Sequence, residues 1–185
     1  MKSGGGKQKG NSFENKIARM LSEWISEGEN KDLFCRSPAS GAKATINFKL
    51  GEMYSDQAGD IIATGEKGFF LTKVFFLECK HYQNLNIDGL VYGTKSGIKE
   101  FWTKAYKESQ EHSKLPMLIA RQNNKPIILG LNKQGIEIFE GSLWYPKLHV
   151  PSIDLYIFSF EEFISTISPE TLGIQSKTNR YKLVQ

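Results

Sequence analysis

Apolar residues follow two patterns along this chain. A helical spacing predicts the helices, and short continuous runs predict the strands. From Asn11 to about Glu27, apolar residues recur at helical spacing, and Gly28 ends that helix. A second amphipathic helix is predicted from Ile98 to about Lys114. The buried stripe of the first helix is predicted to contain Phe13, Ile17, Met20, Leu21, Trp24 and Ile25.

Runs of apolar and β-branched residues predict the strands between and after these helices. The runs cover 33–36, 57–64, 73–81, 117–121, 126–131, 136–139 and 155–158, and a short helix follows at 160–167. The polar, glycine-containing stretch 83–97 predicts a mobile loop. Without an internal repeat or a second-domain boundary, the pattern predicts one α/β domain with a mixed β-sheet flanked by helices.

The run from Lys73 to His81 has the composition of a buried central strand, yet it ends in charged residues. Side chains alternate along a strand, so Glu78 and Lys80 are predicted to share one face while Cys79 points to the other. A carboxylate beside an ammonium group can hold a hard cation and orient or help deprotonate a water molecule. The alternative is an ordinary ion pair that covers the end of a strand.

Asp60 is a second charge in an apolar setting, directly before Ile61. If the glycines at 65 and 68 formed a tight hairpin, Asp60 would face Lys73, and Glu78 would lie roughly 16 Å further along. A shared cation therefore requires a hairpin centred near Phe69, or a bulge or wide loop in the connection. Either arrangement predicts that the Asp60 and Glu78 carboxylates lie within about 7 Å of each other.

Composition excludes several classes of protein. The 185 residues are 39% hydrophobic and 12% aromatic, which is typical of a globular protein and not of a disordered one. No apolar run predicts a membrane span or a signal peptide. The two cysteines indicate free thiols in a reducing, cytoplasmic environment, and the three histidines lack the spacing of a zinc site.

The net charge of +4 is unevenly distributed. Residues 1–10 and 171–185 each carry three basic residues and no acidic one, which leaves a body with 18 basic and 20 acidic residues. We therefore predict a flexible basic arm at 1–10, a single domain at 11–170 and a basic C-terminal tail at 171–185. Such a distribution suits a protein that binds a phosphate backbone and also chelates a cation, although basic tails also aid solubility.

Two further segments carry candidate polar groups. Glu14 lies three residues after Asn11, so it is predicted to form a capping box at the start of the first helix. A loop of small and polar residues follows the strand 33–36, with Arg36 and Lys43 at its margins and Ser37 and Ser40 within it.

In this order, the segments resemble the PD-(D/E)XK nuclease superfamily, and within it the archaeal-type Holliday junction resolvases. The resemblance rests on a Lys-Gly-x-x-x-Glu-like segment at 9–14, an Arg-Ser-x-x-Ser-like loop at 36–40, Gly-Asp-Ile-Ile-Ala at 59–63 and Phe-Leu-Glu-Cys-Lys at 76–80. It covers roughly residues 9 to 132. Two intervals depart from the resolvase pattern: the one from Ser40 to Asp60 and the one from Asp60 to Glu78 are both longer here.

The resemblance implies a restriction-endonuclease-like core and a Mg²⁺-dependent endonuclease, with Mn²⁺ as a substitute. It implies metal ligation by Asp60 and Glu78, a metal- or water-binding role for Glu14, and a catalytic role for Lys80. Phosphate contacts are expected from Lys7, Lys9, Arg36, Ser37, Ser40 and Lys43. The substrate implied is branched DNA, cut symmetrically by a homodimer. Two alternatives stay open: another nuclease of this superfamily acting on duplex or single strands, and an inactive DNA- or partner-binding module.

Overall fold

A computed structural model of the chain describes residues 5–37, 58–139 and 144–169. In chain order the elements are α1 (Gly5–Ile25), β1 (Phe34–Arg36), β2 (Ile61–Ala63), α2 (Glu66–Val74), β3 (Phe75–Tyr82), α3 (Asp88–Val91), α4 (Gly97–Glu111), β4 (Leu115–Gln122), β5 (Ile127–Leu131), α5 (Lys133–Glu137), β6 (Leu148–Val150), a 3₁₀ turn (Pro151–Ile153), β7 (Leu155–Ser159) and α6 (Phe160–Thr166).

A five-stranded mixed sheet in the order β3-β4-β5-β7-β6 forms the centre of the fold. β3 and β4 run parallel, and the other neighbouring strands pair antiparallel. β1 and β2 form a separate antiparallel pair beside it. This α/β architecture, a mixed sheet flanked by helices, confirms the predicted fold class and is consistent with a restriction-endonuclease-like core.

Two apolar clusters cover the two faces of the sheet. Side chains alternate along β4, so Met117 and Ile119 enter the first cluster, while Leu118 and Ala120 enter the second. The first cluster also receives the buried stripe of α1, as the helical spacing predicts. The second receives apolar residues of α4, including Trp102. Burial on both faces explains why β4 is apolar at nearly every position.

β3 lies at one end of the sheet, not at its centre as predicted. Within the described residues, its outer edge carries one isolated parallel bridge, between Gly59 and Leu77. The chain between β2 and β3 is the helix α2, so the predicted hairpin between Asp60 and Glu78 is wrong. A parallel pairing needs a crossover, and α2 supplies it.

Three other local predictions also need correction. α1 begins at Gly5, so Asn11 lies within the helix and cannot be its N-terminal cap. The segment predicted as a strand at 136–139 is the end of α5 and a turn, because the Asn132 side chain accepts a hydrogen bond from the N–H of Gly135 and caps a helix there. The predicted loop 83–97 contains α3 and buries Leu85 and Leu90. No described helix is long and apolar enough to cross a membrane.

Candidate active site

The candidate active site is built on the second half of β3. Phe75, Leu77 and Cys79 belong to the first apolar cluster, so Glu78 and Lys80 project to the opposite face, towards α4. This is the alternation that the sequence predicts. The Lys80 Nζ atom lies 2.5 Å from Oε1 of Glu78. The strand therefore ends in a close pair of opposite charges on one face.

Asp60 is held against the outer edge of β3 by its backbone and by its side chain. Its N–H donates to the carbonyl of Leu77 at 2.7 Å, and its Oδ2 accepts from the N–H of Cys79 at 2.8 Å. Gly59 makes this approach possible, since it has φ +113° and a Cβ there would lie 2.7 Å from the Leu77 carbonyl oxygen. The carbonyl of Asp60 accepts from the N–H of Ser37 at 2.7 Å, which ties it to the end of β1.

Lys80 joins the two carboxylates. Its Nζ atom lies 3.4 Å from Oδ2 of Asp60 and 2.5 Å from Oε1 of Glu78. Those two oxygens are consequently no more than about 6 Å apart. The geometric prediction that the two carboxylates lie within about 7 Å is confirmed, although a helical crossover achieves it and not a hairpin.

Burial makes the charge on Glu78 unfavourable. Glu78 is 5% exposed, and this burial, together with the negative charge of Asp60, raises its pKa to about 7. The ammonium groups of Lys80 and Lys104 act in the opposite direction. Burial alone would lower the pKa of Lys80, but Asp60 and Glu78 raise it well above its usual value. Lys80 is therefore a firmly protonated cation, whereas Glu78 titrates close to neutral pH.

Glu14 completes the charged cluster from the side of α1. Burial raises the pKa of Glu14, and the charge of Asp60 adds to that effect. The Nε–H of Arg36 donates to Oε2 of Glu14 at 2.6 Å and opposes the rise. The predicted capping box with Asn11 is wrong, because α1 begins six residues earlier. Glu14 instead pairs with a residue of β1 at the margin of the site.

The donor set suits a hard divalent cation such as Mg²⁺. Within the described residues, no group of three His, Cys, Asp or Glu side chains is arranged as a ready metal cage. Mg²⁺, however, is usually held by one or two carboxylates, with water and substrate phosphates completing its coordination. Asp60 and Glu78 repel each other, and the ammonium of Lys80 offsets that repulsion. A bound cation would relieve the same repulsion. Asp60 and Glu78 therefore fit the group that the sequence predicts.

The predicted DNA-binding residues are placed unevenly. Arg36 pairs with Glu14 and its side chain is 26% exposed, while Ser37 is buried next to Asp60. Ser40 and Lys43 fall outside the described residues, and so does the side chain of Lys7.

Lys9 contributes to a cationic cluster on the α1 side of β3. Its ammonium group donates to the side chain of Asn123, which also hydrogen-bonds His81. Burial lowers the pKa of His81, and the positive charges of Lys9 and Arg121 lower it further. Neither of these two cations forms an ion pair with a carboxylate within the described part of the chain. Unbalanced positive charge beside the active strand suits a phosphate backbone.

Two residues of α4 at the site were missed by sequence reasoning. The ring of Phe101 lies 6.0 Å from the Nζ of Lys80, and Lys104, one turn later, acts electrostatically on Glu78. Acidic residues such as Glu108 surround Lys104 in the sequence, a mixture that is typical of a solvated helix face, and Lys104 does form an ion pair with the partly exposed Glu108. The sequence signal that links the two residues is their spacing: Phe101 and Lys104 are three positions apart, and residues three apart share a helix face.

The family comparison agrees with this geometry. A family model described as "Phage putative PDDEXK endonuclease" matches residues 5–173. The chain belongs to this family. It is accordingly a member of the PD-(D/E)XK nuclease superfamily, whose enzymes generally use divalent metals. No curated protein and no solved structure matches the chain.

Proposed function

We propose that this PDDEXK family member is a Mg²⁺-dependent DNA endonuclease whose active site is formed by Asp60, Glu78 and Lys80, with Mn²⁺ as a substitute ion. The observation that carries the proposal is a pair of carboxylates, Glu78 buried and Asp60 partly buried, that lie no more than about 6 Å apart with one ammonium between them. A structural ion pair at a strand end needs only one carboxylate. Here a second one is brought in by a glycine-dependent backbone approach.

Asp60 and Glu78 would hold the cation, which supplies Lewis-acid polarisation of the scissile phosphate and a more acidic bound water. Because Asp60 also accepts from the N–H of Cys79, its carboxylate is fixed in position before any substrate binds. Glu78 must lose its proton to act as a ligand, and its pKa of about 7 places that step near neutral pH.

Lys80 acts as a cation in this mechanism and not as a base. Its raised pKa keeps the ammonium protonated, so it orients the attacking water and stabilises the negative charge that develops on the phosphate. Glu14 acts at the margin of the site, on the metal or through a water molecule, and Arg36 holds its carboxylate in place.

The proposed substrate is branched DNA, cut by a homodimer, as the sequence resemblance to junction resolvases implies. The alternative substrate is linear duplex or single-stranded DNA. An endonuclease for either is also compatible with the family. The deciding experiment offers a four-way junction, a linear duplex and a single strand side by side, with Mg²⁺, with Mn²⁺ and with EDTA. Preferential, symmetric cleavage of the junction supports the resolvase substrate, whereas equal cleavage of the duplex refutes it.

The same assay tests the active site. Asp60→Asn and Glu78→Gln are each expected to abolish cleavage while metal-free DNA binding is retained or strengthened, because a negative charge that repels phosphate is removed. Glu100→Gln, which changes an exposed glutamate of α4, is the matched control and should cut at the wild-type rate. Wild-type cleavage by either site variant would mean that the site is wrongly assigned. If the wild-type protein binds DNA but never cuts it, the inactive-module alternative is correct.

A further inference from the structure

We propose that Tyr82 and Phe101 form a stacking platform for one unpaired nucleobase beside the scissile phosphate, so that the preferred substrates are DNA forms with unpaired bases. This inference rests on the proposed nuclease function. It concerns the choice of substrate, which neither the family nor the acidic residues determine.

The platform adjoins Lys80 directly. Tyr82 is two residues further along β3, so it lies on the same face of the strand, about 7 Å away. The rings of Tyr82 and Phe101 are 4.9 Å apart with 33° between their planes. The Lys80 ammonium is 6.0 Å from the centre of the Phe101 ring. A cation for a phosphate and an aromatic surface for a base therefore stand side by side.

The rings of Phe101 and Tyr82 differ in burial and therefore in their structural role. Phe101 is partly buried and packs against the second apolar cluster, so it has a structural role. Tyr82 ends β3 and is 47% exposed, so a large part of its side chain faces solvent beside the charged site. An aromatic face that is open to solvent and supported from below by a fixed ring is suited to stacking.

Stacking of this kind selects against paired DNA. Within a duplex, both faces of each base are covered by its neighbours, whereas a base at a branch point, flap or single strand leaves a face free. Aromatic side chains bind such bases with little dependence on sequence, because every base has a π-face. The charged neighbours, Lys80 and Lys104, complement the phosphate that the same nucleotide carries.

The test is DNA binding measured by fluorescence anisotropy in EDTA, which removes cleavage from the readout. Wild type, Tyr82→Ala, Tyr82→Leu and Tyr82→Phe are compared on a single strand, a four-way junction with an unpaired base at its centre and a blunt duplex. The alanine and leucine variants should lose roughly 5- to 100-fold in affinity for the first two DNAs and should match wild type on the duplex. The phenylalanine variant should behave as wild type.

Tyr145→Ala is the matched control, since Tyr145 is 70% exposed and follows Trp144, which packs on Phe158 of β7, away from β3. Equal losses on all three DNAs, or none, would overturn the proposal. If Tyr82→Ala does not fold, the leucine and phenylalanine variants decide, since both keep the bulk and only one keeps an aromatic face. Absence of Mg²⁺-dependent cleavage in the wild type, with the binding pattern intact, would refute the nuclease function and not the platform.

Discussion

Replacing Glu78 by glutamine should stabilise the fold at neutral and alkaline pH while it removes a metal ligand. Glu78 is 5% exposed, and burial and the neighbouring Asp60 raise its pKa from 4.5 to about 7. A proton consequently binds more tightly to this carboxyl group in the folded state than in the unfolded state. The contribution of Glu78 to stability is complete below about pH 4.5 and is lost as the pH rises to about 7.

The magnitude follows from the same numbers. A rise in pKa from 4.5 to about 7 corresponds to about 3 kcal/mol of unfolding free energy lost once Glu78 is ionised. Glutamine cannot ionise, and the pKa of about 7 already includes the opposing effect of Lys80, but a buried amide with incomplete hydrogen bonds costs about 1–3 kcal/mol. We therefore expect Glu78→Gln to be more stable than wild type by about 1–2 kcal/mol at pH 8, with the gain shrinking towards pH 5.

The assay is urea unfolding followed by circular dichroism between pH 5 and pH 8.5, without divalent cations. Glu100→Gln serves as control and should show no pH-dependent difference from wild type, since Glu100 is 61% exposed at its side chain. A Glu78→Gln variant that is less stable than wild type at pH 8 would refute the reasoning. The Glu78–Lys80 contact would then be a net stabilising ion pair, as in the structural alternative drawn from the sequence.

Two further predictions test the backbone and the cationic cluster. Gly59→Ala should destabilise the fold by about 1–3 kcal/mol and reduce cleavage more than tenfold, measured by unfolding and by initial rates, because the new Cβ would push Asp60 away from β3. Gly28→Ala has the same kind of positive φ with no atom within 4 Å, so it should share the strain but leave the cleavage rate unchanged. Lys9→Ala should weaken binding to all DNA forms and reduce the slope of the logarithm of the binding constant against the logarithm of salt concentration by about one unit, the loss of one phosphate contact. Lys147 pairs with Glu162, so Lys147→Ala is the control and should change neither quantity.

Alternation along one strand was enough to predict the centre of the site. Because strand side chains change face at every residue, Glu78 and Lys80 had to lie together, and Cys79 had to point into the core. The position of Asp60 directly before an apolar run likewise identified it as a candidate site residue. These features are local, and local backbone geometry determines them whatever the rest of the chain does.

The connection between Asp60 and Glu78 was not predictable in the same way. Residues 69–77 are almost continuously apolar, and a short apolar run fits a buried helix as well as a buried strand. Gly65 has an extended backbone and precedes α2 as its cap, although the glycines suggested a hairpin turn. Only packing of Leu71 and Thr72 into the interior distinguishes the two, and such contacts are not visible in the sequence.

The N-terminal segment shows a different limit of prediction from sequence. Three of the six residues at 5–10 are glycine, which disfavours a helix, so composition predicts a flexible arm. In the structure α1 extends through these residues, and Lys9 reaches Asn123 from it. This contact joins residues 114 positions apart, and no local pattern encodes such a contact.

The helical crossover also changes what the spacing between Asp60 and Glu78 means. In a hairpin, the number of intervening residues sets the register, so a longer interval moves the two carboxylates apart. In this fold the bridge between Gly59 and Leu77 sets the register, so the number of residues in the helical crossover does not by itself fix the distance between the two carboxylates. A long interval is therefore no argument against a shared cation. The feature on which the site depends is a glycine that lets the backbone before Asp60 approach β3 closely.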